Sequence, residues 1–246
     1  MALRRTPIVD AALDRAVTIP SATIHAHVDS LRRRNPEATP AEVVGLLERE
    51  YLLVVQGTGG AVGAAAAAPA VGTGVAMALT VGDVATFFGA SAAFSLAVAS
   101  VHGIDVEDAE RRRALLLATI LGESGAKAVT DVGELTGLRG LNVARALLTR
   151  MPTGTIRRVN ARLTRQLFRK QLARQGSLAL GRMVPFGVGA VIGVTGGRAL
   201  GRTVIQGARK AFGPAPDRWG DSVLVVEATE GAPRVIEQPR KHLPRR

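Results

Sequence analysis

Asp83 is the first residue of this chain whose type and setting could do chemistry. No charged residue occurs from Tyr51 to Gly82, and none from Val84 to Ile104. An ionised carboxylate between two such arms is expensive unless something pairs with it. An acid in that setting serves as a proton, ion or gating group, or it is the structural partner of a cation. Arg198 and Arg202, on a glycine-rich stretch further along, are the candidate partners of this candidate buried acid.

Other reactive arrangements are scarce. The chain has no Cys, which excludes disulfides, thiolate metal sites and Cys nucleophiles. Leu52 to Gly63 superficially reads as a strand running into Gly57-Thr58-Gly59, but a dinucleotide fingerprint needs glycine where Val62 stands. No Gly-Lys-Ser/Thr follows a glycine run, and Gly122-Glu123-Ser124-Gly125 lacks the spacing of a nucleophile elbow. His25 and His27, two apart, fall on different faces of a helix and so are poorly placed to share a metal. The expectation is a protein that is not an enzyme, with no catalytic residue, cofactor or metal.

Asp83 must be positioned by the uncharged arms around it. Thr39-Pro40-Ala41-Glu42 is a capping box with Pro at the first helical position, so a helix starts there and is expected to run to about Ala68. Pro69 to Gly74 favours a turn, and a second helix then runs to Val101 with His102-Gly103 as its C-cap. The result is a helical hairpin lined by small residues. Gly59 and Gly63 are spaced by four on the first arm. Gly189, Gly193, Gly197 and Gly201 repeat the same spacing on a later helix entered at Pro185. Glycine inside a helix costs about 1 kcal/mol against alanine, so repeated glycine on one face wants a close neighbour. The later ridge is expected to lie against the small residues of 59–90.

Around this centre, residues 1–19 read as a loosely ordered N-terminal arm. Ser21 to about Arg34 forms a helix stopped by Asn35-Pro36. Acids at Asp105 to Asp108 open a further helix. The amphipathic helix of 155–174 sets Ile156, Val159, Leu163 and Leu167 on one face and arginines on the others. After Gly213 comes a proline-punctuated basic tail, with Ser222 to Val226 as a short strand paired with Arg234 to Ile236.

Charge is segregated. Residues 1–134 carry 11 basic and 15 acidic residues, whereas 135–216 carry 15 basic and no acidic one. Such a block is drawn to acidic lipid headgroups or to nucleic acid, or it pairs with the acidic first half. Arg157, Arg158, Arg162, Arg165, Arg169 and Lys170 are the candidate contacts to an anionic surface. The scarcity of aromatic residues among the arginines, with only Phe168, Phe186 and Phe212 in the block, argues against base stacking. The N-terminus has positive charge but no apolar core of a secretory signal after it, so none is expected.

With these residues in view, the chain resembles the EcsC family. The resemblance rests on the Gly57–Gly74 hairpin, on Asp83, and on the arm ending in His102-Gly103-Ile104-Asp105. It rests also on Val184-Pro185-Phe186-Gly187-Val188-Gly189-Ala190-Val191-Ile192-Gly193, and it covers about residues 40–212. Family members often carry Tyr where His102 stands. The resemblance implies an all-helical, membrane-associated bacterial protein without assigned catalytic residues, accessory to transport or envelope processes.

The expected fold is therefore all-α. A multi-helix domain over 20–212 is built on a Gly/Ala-rich hairpin packed against a glycine-spaced helix, with a short irregular or β tail over 213–246. The expected partner is an anionic membrane surface or bilayer at the cytoplasmic face, with a membrane protein or a second copy as further partners. The alternative is a cytoplasmic helical domain binding nucleic acid or an acidic partner through 135–216.

Overall fold

The computed structural model describes residues 7–66, 73–135, 143–178, 188–227 and 231–240. Side chains are described for these residues except 7–8, 61–66, 73–81, 133–135, 143, 170–178 and 188–194. Among the described residues the chain forms nine helices and one three-stranded sheet, an all-α domain with a short β tail.

The first helix, α1 (Pro7–Val17), corrects the expectation of a loose arm. Val9, Ala12, Leu13, Ala16 and Val17 recur at helical spacing and are buried, Leu13 completely. A short helix like this gains its stability from packing rather than propensity. The next, α2 (Ser21–Arg34), carries Arg32, Arg33 and Arg34 in its last turn, where cations favour the negative end of the dipole. α3 (Pro40–Ala66) begins with the capping box in place. The Thr39 N–H donates to the Glu42 carboxylate at 2.7 Å, and the Glu42 N–H donates to Thr39 Oγ1 at 3.3 Å. α4 (Thr73–Val101) is the second arm, ending at Gly103 with φ +72°. The turn between the arms, at Pro69 to Gly72, lies outside the described residues.

From Phe88 onward α4 is protein core. Phe88, Phe94, Leu96 and Val98 are buried, and Tyr51 of α3 stacks on Phe94 with ring centroids 4.9 Å apart. The Tyr51 hydroxyl shares a 2.9 Å hydrogen bond with Ser91, and burial pushes its pKa up. The stretch Gly82–Val101 is long and apolar enough to cross a membrane, but more than half of it is buried inside the protein.

Beyond the hairpin, Ile104–Val106 forms strand β1 rather than the start of a helix. α5 (Ala109–Leu121) begins later, with the Asp108 carboxylate accepting from the Arg111 N–H at 2.8 Å. α6 (Glu123–Leu135), α7 (Val143–Thr149), α8 (Thr153–Leu178) and α9 (Val188–Phe212) follow. The Ser222–Glu227 strand (β2) pairs antiparallel with the Arg234–Pro239 strand (β3), with Val225 opposite Ile236, as expected. β1 adds to the free edge of β2 in parallel, with Asp105 opposite Val225.

α9 runs antiparallel to α3. Gly197 meets Val55, Gly201 meets Leu52 and Tyr51, and Arg209 meets Glu48. Gly197 and Gly201 thus lie against residues 51–56 of α3, just ahead of the expected 59–90. The antiparallel register brings these two glycines to the last large residues before the small-residue run. Gly59 is half-buried, while the surroundings of Gly63, Gly189 and Gly193 lie outside the described residues.

Two predictions follow from this packing. A Cβ at Gly197 would stand 2.6 Å from the Val55 carbonyl oxygen, whereas one at Gly196 would meet nothing within 4 Å. Gly197→Ala should lower unfolding stability by about 1–3 kcal/mol, and Gly196→Ala should raise it by up to about 1 kcal/mol, read by urea denaturation. The second concerns His102, which stacks on Phe212 at 5.1 Å and whose pKa burial depresses. The folded ring stays neutral while the unfolded chain takes up a proton below about pH 6.5, so its contribution is present above that pH and lost below it. Wild type should lose more stability than His102→Gln between about pH 7.5 and 5.5.

Candidate functional site

Asp83 sits on α4 in a half-buried position, one residue past the exposed Gly82 and shortly before the exposed Ala85 and Thr86. Among the described residues no ion pair within 4.0 Å joins it to Arg198, Arg202 or any other cation. Arg198 and Arg202 are exposed on α9, beside Gly197 and Gly201. They stand at the level of Tyr51 to Val55, where the uncharged run of α3 begins. The proposed acid–arginine contact is therefore not formed, because α9 meets α3 ahead of the glycine run and its arginines stay in solvent.

The basic helix α8 docks by its apolar stripe. Ile156, Val159, Leu163 and Leu167 are buried, and Arg157, Arg158, Arg162, Arg165 and Arg169 are exposed. Lys170 lies outside the residues with described side chains. Arg158, Arg162, Arg165 and Arg169 recur at spacings of four, three and four, which sets them in one stripe about 16 Å long. Arg162 reaches Asp131 at 3.4 Å, and no described acid pairs with the others. The stripe presents its cations outward; its apolar side is already occupied by protein.

Elsewhere the basic block pairs with the acidic half of the chain. Glu48, 8% exposed, accepts from Arg209 Nε at 2.7 Å and from Nη2 at 2.5 Å, which raises the arginine's pKa. Lys210 donates to Glu123 at 2.7 Å across an open polar groove of about 460 Å³ between α9 and the start of α6. Ser124 and Thr203 are among the residues that line it, with the Ser124 hydroxyl donating to the Leu121 carbonyl at 2.9 Å.

Two arginines were missed as organising residues. Arg111 is 2% exposed and donates to the carbonyls of Leu147 and Leu148 at 2.8 and 3.0 Å and of Met151 at 2.6 Å. It satisfies the end of α7, whose last carbonyls have no intrahelical partner. Arg112 donates to the carbonyls of Val17, Ile19 and Val106 and to Ser21 Oγ at 2.6 Å. Ser21 Oγ donates to Asp105 at 2.9 Å, and His25 lies 3.5 Å from the other carboxylate oxygen. Burial lowers the pKa of both arginines. A sequence signal existed: cations in the first turn of α5 oppose the helix dipole and need another reason to be there.

The Ser21, His25, Asp105 and Arg112 cluster is a brace rather than a catalytic site. The Ser21 hydroxyl is held between the Arg112 guanidinium and the Asp105 carboxylate, and His25 turns to that carboxylate rather than to the serine. The cavity they line is about 10 Å³, room for one water. Among the described residues no group of three His, Cys, Asp or Glu could hold a metal.

No protein-family model, no curated protein and no solved structure matches this chain.

With no cation on Asp83, its replacement removes no bond. Asp83→Asn should leave the unfolding midpoint within about 0.5 kcal/mol of wild type, whereas Arg111→Met, which strips three carbonyls of their donor, should cost about 3 kcal/mol or more. Urea denaturation of the two variants side by side reads both.

Proposed function

We propose that this is a membrane-associated, non-catalytic helical protein whose α3–α4 hairpin enters one leaflet of a bilayer at the cytoplasmic face. The observation that carries this reading is the outer face of α3. Leu53 is 71% exposed and Val54 46%, with Gly57 exposed a turn later, at the start of an uncharged run. Exposed Gly82, Ala85 and Thr86 continue that character on α4. Arg198 and Arg202 stand at the boundary, where guanidinium groups can meet lipid phosphate.

Length sets the depth. From Leu52 to Ala66, α3 is about 22 Å long, short of a hydrocarbon core of about 30 Å. The remainder of the hairpin is committed to the protein core through Tyr51, Phe88 and Phe94. A tilted dip into one leaflet, about 15 Å deep, suits these dimensions, and an upright span by this arm does not. Asp83 needs a cation at that depth, and a membrane protein or a second copy is the proposed source. The resemblance to the EcsC family agrees with a membrane location and with an accessory place in transport or envelope processes.

The arginine stripe of α8 favours one second reading, a helical domain that binds nucleic acid or an acidic partner through 135–216. Flotation separates the two. The protein should float with vesicles containing anionic lipid and resist release by about 1 M salt, which screens charge but not burial. The double change Leu53→Glu and Val54→Glu should abolish salt-resistant flotation while leaving the unfolding midpoint unchanged. Full recovery in the soluble fraction, with steeply salt-dependent RNA or DNA binding, would replace the membrane reading by the second one.

A further inference from the structure

Trp219, the chain's single tryptophan, lies where four parts of the fold converge. Its indole N–H donates to the Ala38 carbonyl at 3.2 Å, which fixes the ring between α2 and α3. The Arg32 guanidinium at the end of α2 sits 4.2 Å from the ring centroid, and that of Arg240, just past β3, sits 5.6 Å from it. Both cations therefore share one aromatic ring.

Their charges are poorly compensated. Arg32 lies 3.5 Å from the Asp29 carboxylate. Arg240 is half-buried, and its only side-chain hydrogen bond among the described residues is a 3.4 Å donation from Nη2 to the Ser100 carbonyl. Among the described residues its Nε is buried without an acceptor. Gly103, at the turn after α4, lies beside this guanidinium, at van der Waals distance from Nη2. Desolvation and the like charge of Arg32 both lower the Arg240 pKa, with Asp29 acting the other way.

We propose that Arg32 and Arg240, held against Trp219, form a binding site for a phosphate monoester. A buried guanidinium N–H without an acceptor is costly, and two forked cations around one carboxylate suit a dianion with several acceptor oxygens. Free phosphate esters and lipid headgroups share this chemistry. The site lies beside Ser100, about 27 Å along α4 from Gly82 at 1.5 Å per residue. If the hairpin enters a leaflet, this end faces away from it, so the ligand is soluble. Only that choice of source rests on the membrane reading; the site itself stands on the arginine–tryptophan geometry.

Trp219 reports on the site directly. The full chain is titrated with glycerol phosphate at constant ionic strength, with sodium chloride as the control, and followed by tryptophan fluorescence and by ³¹P line broadening. A saturable, phosphate-specific change is expected. Arg32→Gln and Arg240→Gln should each move its midpoint about tenfold or more to higher concentration, whereas Arg33→Gln, which alters an exposed neighbour, should not. Circular dichroism confirms folding, and should Arg240→Gln unfold the tail, Arg32→Gln decides. Absence of a saturable change, an equal change with chloride, or an unchanged midpoint in the variants would overturn the site. A response only to vesicles bearing phosphatidate would overturn the soluble source, and it would do so whether or not the hairpin itself floats.

Discussion

The α3–α9 contact exists because nothing grows from position 197. A side chain there would collide with the Val55 carbonyl, and one at 201 would run into Leu52. Gly207 does the same on the next element, where a Cβ would stand 2.2 Å from the Thr119 carbonyl of α5. With only 3% aromatic residues, this chain cannot fill its centre with large rings. It brings backbones together instead, so that many small dispersion contacts replace a few large ones. Where α3 meets α4, one aromatic pair serves: Tyr51 stacks on Phe94, with Ser91 on its hydroxyl.

Close backbones leave helix ends inside the protein, and those ends carry unpaired carbonyls. Arg111 and Arg112 answer that problem from one place. Adjacent on α5, they diverge, one to the end of α7 and the other to the chain between α1 and α2. Arg113, the third, turns outward to Asp10 and Asp14 of α1. One three-residue run thus ties together segments far apart in sequence. The buried pair is neutralised largely by carbonyl dipoles rather than carboxylates, which suits a group whose task is to hold ends rather than to react.

What was legible in the sequence followed from local chemistry. The Thr39–Glu42 box, the glycine at 103, the stripe of Ile156 to Leu167 and the Ser222–Ile236 hairpin each declare themselves within a few residues. What was missed depended on partners elsewhere. Ile104–Val106 is too short to read as a strand, and it becomes one because Leu224 to Val226 offers a free edge. α1 is too short to be stable alone and needs α4 and Arg113. The glycine ridge was recognisable, but spacing by four tells which face is bare and not at which level Gly197 and Gly201 meet α3. Asp83 drew notice as an isolated charge, and isolation by itself names no partner.

The same composition constrains how the protein can meet a membrane. Alanine and glycine gain little on leaving water compared with leucine or phenylalanine, so a hairpin built from them is a weak anchor per residue. Its larger apolar side chains from Phe88 onward are already committed to the protein interior. On the proposed reading, attachment therefore divides between a shallow apolar dip at Leu53 and Val54 and the guanidinium groups of Arg198 and Arg202 beside it. The dip holds the protein once it is seated, and the arginines raise its affinity for acidic headgroups. Such an association responds to headgroup charge and leaves intact the core that α3 and α9 close.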